Sequence, residues 1–127
     1  MAISYKVLNS VLPSIIDAKF PILIRGRHGI GKSTIVYQIA EQRGLPVVER
    51  RASQMTEGDL LGLPKVEGNV TQWLAPEWLH TACNNPVVLF LDEVDRATLE
   101  VRQGIIELCD SRKIAGYSLH PETIIFA

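Results

Sequence analysis

Hydrophobic positions along the chain recur at helical spacing in some stretches and form short unbroken runs in others, and the two kinds alternate. Residues 5 to 18 are mostly helical in pattern, with Pro13 starting a second short helix or kinking the first. Pro21 ends that region, and Ile22-Leu23-Ile24 reads as a short buried strand. After a glycine-rich turn, Ile35, Val36, Ile39 and Ala40 share one helical face, and Gly44 and Pro46 supply the stop. Val47-Val48 begins a second strand, and a short helix is expected over Glu57 to Leu61. Val66 and Val70 flank the turn-forming Gly68-Asn69, so Lys65 to Trp73 reads as a β-hairpin. Pro76 suits the first position of a helix whose apolar residues are Trp78, Leu79, Ala82 and Cys83, closed by Asn84-Asn85-Pro86. Val87 to Leu91 is apolar throughout, the pattern of a strand covered on both faces. Thr98 caps a helix running to about Asp110, with Val101, Ile105 and Leu108 facing inward. A second hairpin is expected over Ile114 to Leu119, around Ala115-Gly116, and Thr123 to Phe126 reads as a last strand. Such alternation predicts an α/β domain with a parallel sheet and crossover helices.

Composition narrows the function classes. Lys and Arg number 13 against 14 Asp and Glu, a net charge of -1, which argues against gripping nucleic acid by bulk charge but leaves a local basic patch open. With 127 residues and 46% hydrophobic content the chain has the size of one domain and enough apolar side chains for a real core. No repeat or linker divides it. Its apolar runs fall far short of the ~20 residues a membrane helix needs, and Met1 to Lys6 lacks the pattern of a secretory signal. The expectation is a soluble, cytoplasmic protein. Cys83 and Cys109 make neither a disulfide framework nor a metal-ligand set, and both read as small hydrophobes.

The strongest chemical signal is Gly26-Arg27-His28-Gly29-Ile30-Gly31-Lys32-Ser33, a complete G-x-x-x-x-G-K-[ST] phosphate loop between a strand and a helix. Its glycines let successive backbone N–H groups converge on phosphate oxygens without side chains in the way. The nucleotide cradle is therefore assigned to Gly26, His28, Gly29, Ile30, Gly31, Lys32, Ser33 and Thr34. Lys32 adds a point charge at the β and γ phosphates, Ser33 offers a hydroxyl to Mg²⁺, and the following helix points its positive end at the same anion.

A second constellation is Leu89-Phe90-Leu91-Asp92-Glu93, a buried strand ending in two carboxylates. It fits the Walker B pattern, in which Asp92 joins Ser33 in holding Mg²⁺ and Glu93 polarises the attacking water as general base. Glu93 and Lys32 are thus the catalytic candidates, and ATP and Mg²⁺ the cofactors. Arg96 is divided evenly between a solvated arginine and one reaching a neighbouring subunit or another local acid. His80 and His120 lack ligand-spaced partners, and Trp73 and Trp78 are expected to be packing anchors beneath the first hairpin.

Taken together these residues resemble the AAA+ ATPases, and more narrowly their MoxR-like and dynein-related group. The resemblance is carried by the phosphate loop at 26 to 33, by Gly58-Asp59-Leu60-Leu61-Gly62, by Asp92-Glu93-Val94-Asp95-Arg96-Ala97 and by Gln103 to Phe126. It covers residues 20 to 127, with 1 to 19 as an N-terminal helical segment. The family usually has Asn where this chain has Asp95. The resemblance implies a three-layer fold with strand 1 lying between strands 5 and 4, and strands 3 and 2 beyond. Ile22 to Ile24 would be strand 1, Val47 to Arg50 strand 2, Val87 to Leu91 strand 3 and Thr123 to Ala127 strand 4. It also implies hairpins inserted before strand 3 and before strand 4. On this reading the chain is a partial domain, truncated before strand 5 and the helical lid, and inactive in isolation. The complete protein is expected to be a hexameric ring motor that hydrolyses ATP and remodels a protein client. A nucleotide-dependent binding switch or assembly factor with little turnover is the alternative.

Overall fold

The computed structural model describes Ser14, Asp17, Pro21, Ile22 and residues 32–127. In chain order the elements are α1 (Lys32–Arg43), β1 (Val47–Arg51), a 3-10 turn (Ala52–Gln54), α2 (Glu57–Leu61), β2 (Leu63–Glu67) and β3 (Val70–Leu74). There follow α3 (Glu77–Asn84), β4 (Val88–Asp92), a second 3-10 turn (Val94–Arg96), α4 (Leu99–Ser111), β5 (Lys113–Ile114), β6 (Tyr117–Ser118) and β7 (Ile124–Phe126).

The main sheet has the order β1-β4-β7, with β4 parallel to both neighbours, and Ile22 bridges Phe126 in parallel on the far side. These neighbours are the ones expected of strands 2, 3, 4 and 1. Side chains of β4 alternate between two cores, because successive strand residues point to opposite faces. Val88 and Phe90 join Ile124, Phe126 and Ile22 against Ile35, Val36, Ile39 and Ala40 of α1. Leu89 and Leu91 join Ile125 against Leu60, Trp78, Leu79, Val101, Ile105 and Leu108 of α2, α3 and α4. The result is three layers, helix on sheet on helices. Every residue of β4 is buried, and each such large apolar side chain contributes about 1.5–3 kcal/mol.

One expectation is overturned. The chain is not truncated before a fifth strand, because β5, β6 and β7 all follow β4. The expectation numbered only the strands of the main sheet, whereas β5 and β6 pair with each other in the separate second hairpin and precede β7. Residues 1–13 and 23–31, with the expected N-terminal helix and most of the expected first strand, lie outside the described residues, apart from the helical Ser14 and Asp17 further on.

Elsewhere local chemistry explains the elements. Thr56 and Asp59 form a capping box around the start of α2, with Thr56 N–H donating to Asp59 Oδ2 at 2.9 Å and Asp59 N–H to Thr56 Oγ1 at 3.2 Å. Thr98 caps α4 as expected, accepting from Val101 N–H. Pro76 is the N-cap of α3 rather than its first helical residue. In the first hairpin Gly68 has φ 61° while Asn69 has an ordinary φ, the pattern of a type II′ turn. The second hairpin turns on Ala115 and Gly116, both at positive φ, so Ala115 carries the strain of a left-handed residue with a Cβ. Trp78 is buried and donates its indole N–H to Asp59 O at 2.8 Å. Trp73 departs from its expected role as a buried anchor: it sits on the hairpin itself, 40% exposed, because all ten residues of β2 and β3 are exposed. No helix among the described residues is long and apolar enough to cross a membrane.

Candidate nucleotide site

The parallel sheet sends the carboxyl ends of its strands to one edge. Ile22 bridges β7 in parallel and β7 runs parallel to β4, which ends at this edge in Asp92. Helix α1 then runs back, since Gly44 to Pro46 carry its far end to the start of β1. Its first residues, Lys32, Ser33 and Thr34, therefore lie at the carboxyl edge, where ligands gather in open α/β sheets. The helix N-terminus brings a partial positive charge to the same place. Of the expected cradle, Lys32 is half-buried and Ser33 and Thr34 are exposed, whereas Gly26, His28, Gly29, Ile30 and Gly31 lie outside the described residues.

Asp92 is 7% exposed and follows the β4 alternation onto the α1 face. Its Oδ1 accepts from the backbone N–H of Glu93 at 2.8 Å. Glu93 itself is left-handed, with φ 57° and ψ 36°. A non-glycine residue held there costs about 1–2 kcal/mol, and it turns the chain sharply out of the sheet into the 3-10 turn. Glu93 is half-buried, and its Oε2 accepts from Ser53 Oγ at 2.6 Å. Ser53 comes from the 3-10 turn after β1, the neighbouring strand, whose Arg51 lies in register with Asp92.

Sequence reasoning missed Ser53. No local signal marks it, because it stands 40 residues from Glu93 in sequence and reaches it only through strand pairing. An open groove of about 290 Å³ beside it is lined by Glu49, Arg50, Arg51 and Gln54. Arg96 is exposed in the second 3-10 turn. His120 Nδ1 accepts from Glu122 N–H at 3.0 Å and His80 Nδ1 lies 3.3 Å from Asn84 Nδ2, so both rings are used locally. Burial raises the Cys83 thiol, and burial with the Asp110 charge pushes Cys109 up to about 11.

Among the described residues no group of three or more His, Cys, Asp or Glu side chains could cage a metal. Magnesium keeps much of its water and takes one or two hard oxygens plus phosphate, and Ser33 and Asp92 are such oxygens.

A family model described as "AAA domain (dynein-related subfamily)" matches residues 21–122. Midasin of Giardia intestinalis is 35% identical over 94 residues, covering 73% of this chain and 2% of that protein. Protein CbbQ of Hydrogenophilus thermoluteolus is 31% identical over 97 residues, covering 76% of this chain and 36% of that one. The chain thus spans 2% of the first relative and 36% of the second. Two RuvB mutants of Thermotoga maritima share the fold, with TM-scores of 0.63 and 0.64 at 19% and 17% identity. They cover 96% and 98% of this chain, which in turn covers 37% and 39% of them.

Proposed function

The chain belongs to the AAA domain family, dynein-related subfamily, and from that premise we propose that it is the nucleotide-binding part of an ATPase that works in a homo-oligomeric ring. The observation that carries the reading is the common sheet edge of Lys32–Ser33 and Asp92–Glu93. Lys32 binds the terminal phosphates of ATP, and backbone N–H groups of the 26–34 segment, from Gly26, His28, Gly29, Ile30 and Gly31 onward to Thr34, cradle them. Ser33 and Asp92 hold Mg²⁺, which neutralises phosphate charge when bound. The Glu93 carboxylate accepts a proton from the water that attacks the γ-phosphorus, while the bond from that phosphorus to the β–γ bridging oxygen breaks and ADP leaves.

The two hairpins support a place in the MoxR-like group, and with it a hexameric ring that remodels a protein client. Net charge of -1 gives no reason to favour nucleic acid as that client. The free thiols of Cys83 and Cys109 suit a reducing, cytoplasmic setting. A second reading, a nucleotide-dependent assembly switch with little turnover, is favoured by the hold of Ser53 on Glu93.

Paired variants of the complete protein test the roles. Lys32→Ala should weaken ATP-Mg²⁺ binding by about 2–4 kcal/mol in calorimetry. Glu93→Gln should leave binding intact and lower hydrolysis by roughly 10²-fold or more. Unchanged affinity in the first would sink the phosphate assignment, and unchanged turnover in the second would remove Glu93 as base. Single-turnover measurement on the unmodified protein separates motor from switch.

A further inference from the structure

The first hairpin poses a physical problem. All ten residues of β2 and β3 are exposed, including Leu63 at 67%, Val66 at 73% and Leu74 at 52%. A two-stranded hairpin without a buried face is marginal in water. Its base is closed by Gly62, where a Cβ would stand 1.9 Å from Leu74 O, but that contact fixes only the point of entry.

The second hairpin is anchored differently. Ile114 is 1% exposed, and Leu119 N–H donates to Arg112 O at 2.9 Å to close the base. Arg112 Nη2 donates to His120 O at 2.9 Å and to Thr123 O at 2.7 Å, tying that base to the entry of β7. The ring of Tyr117 packs against the core of α2, α3 and α4, and its hydroxyl donates to Trp73 O on β3.

Strand register explains why that carbonyl is available. The pair flanking a two-residue turn, Glu67 and Val70, exchanges both hydrogen bonds, and bonded and non-bonded pairs alternate from there. Pro64 and Trp73 therefore form a non-bonded pair, so the Trp73 carbonyl points away from β2 and the missing N–H of Pro64 costs no ladder bond.

We propose that Tyr117 is a latch that makes the two hairpins one mechanical body, so that a displacement of the second hairpin carries the exposed apolar side chains of the first with it. The core holds the ring, the ring positions the hydroxyl, and the hydroxyl holds the backbone of β3. The latch is independent of the nucleotide reading.

Amide hydrogen exchange on the full chain tests it. In Tyr117→Phe the ladder amides of Lys65, Gln72 and Leu74 should exchange roughly three- to tenfold faster, the effect of losing one hydrogen bond, while Ile114 and the β4 amides stay unchanged. Trp73→Phe, which keeps the accepting carbonyl, should alter the same ladder amides less than twofold. Unchanged exchange in Tyr117→Phe would overturn the proposal. So would equal loosening by Trp73→Phe, which would assign the hold to indole packing, or a rise extending to β4, which would make Tyr117 a general stability residue.

Discussion

Ser53 Oγ donates to Glu93 Oε2 at 2.6 Å, joining the turn after β1 to the residue that follows the buried strand β4. The bond holds a carboxylate whose backbone is already constrained in the left-handed region. Hydrogen bonds to charged groups are worth more than neutral ones, so a partly buried one of this length matters to stability as well as to the orientation of Glu93.

Replacing Ser53 by Ala leaves the Glu93 carboxylate without this donor. Urea denaturation of Ser53→Ala should show a loss of about 1–2 kcal/mol, with Ser53→Thr recovering much of it. Equal midpoints for all three proteins would mean that the bond contributes nothing net.

Two glycines that look alike in sequence should respond very differently to Ala. At Gly62 the new Cβ would meet backbone at 1.9 Å and the residue sits at φ 87°, so Gly62→Ala should cost about 3 kcal/mol or more. At Gly104 the obstacle at 2.2 Å is Leu60 Cδ2, the end of a flexible side chain, and Ala gains about 1 kcal/mol of helix propensity. Gly104→Ala should therefore be the milder of the two in thermal melts, and the reverse order would contradict this account of the hairpin base.

The capping box predicts a pH dependence. Asp59 has its pKa lowered, first by the backbone N–H of Thr56 and next by the Thr56 hydroxyl. A depressed folded-state pKa adds stability above the unfolded value of about 3.9, and that stability is lost as pH falls through the folded value. The advantage of the natural chain over Asp59→Asn should therefore be full at neutral pH and shrink below about pH 4. A constant difference from pH 7 down to pH 3 would mean that the carboxylate is not what caps α2.

The thiols should differ in reactivity. Cys109 is 8% exposed with its thiol pushed up to about 11, whereas Cys83 is half-buried and raised by burial. Because the thiolate is the reacting form, a thiol reagent at pH 8 should modify Cys83 at least about tenfold faster, with Cys109 reacting on unfolding. Matching rates in the folded protein would show that the α4 face opens readily.

Much of this architecture was legible because the deciding interactions are local. The apolar run before Asp92, the face shared by Ile35, Val36, Ile39 and Ala40, and the turns at Gly68-Asn69 and Ala115-Gly116 each follow from the nearest few residues. The capping box of α2 was also written locally, in Thr56 and Asp59, although the segment reads ambiguously by hydrophobic period alone.

The sequence by itself determined the element types and the residue classes available for phosphate chemistry, since periodicity and backbone conformation are encoded within a few positions, while the neighbours of the buried strand were only implied by the family resemblance. Only the tertiary structure decided that Ser53 meets Glu93, that Trp73 stays exposed while Trp78 is buried, and that Tyr117 spans two hairpins. Each of these depends on which strands become neighbours and in what register. The parallel sheet brings Ser53 to Glu93, 40 positions away, the packing of one hairpin beside the other brings Tyr117 to Trp73, and one position of register moves every side chain of a strand to the opposite face.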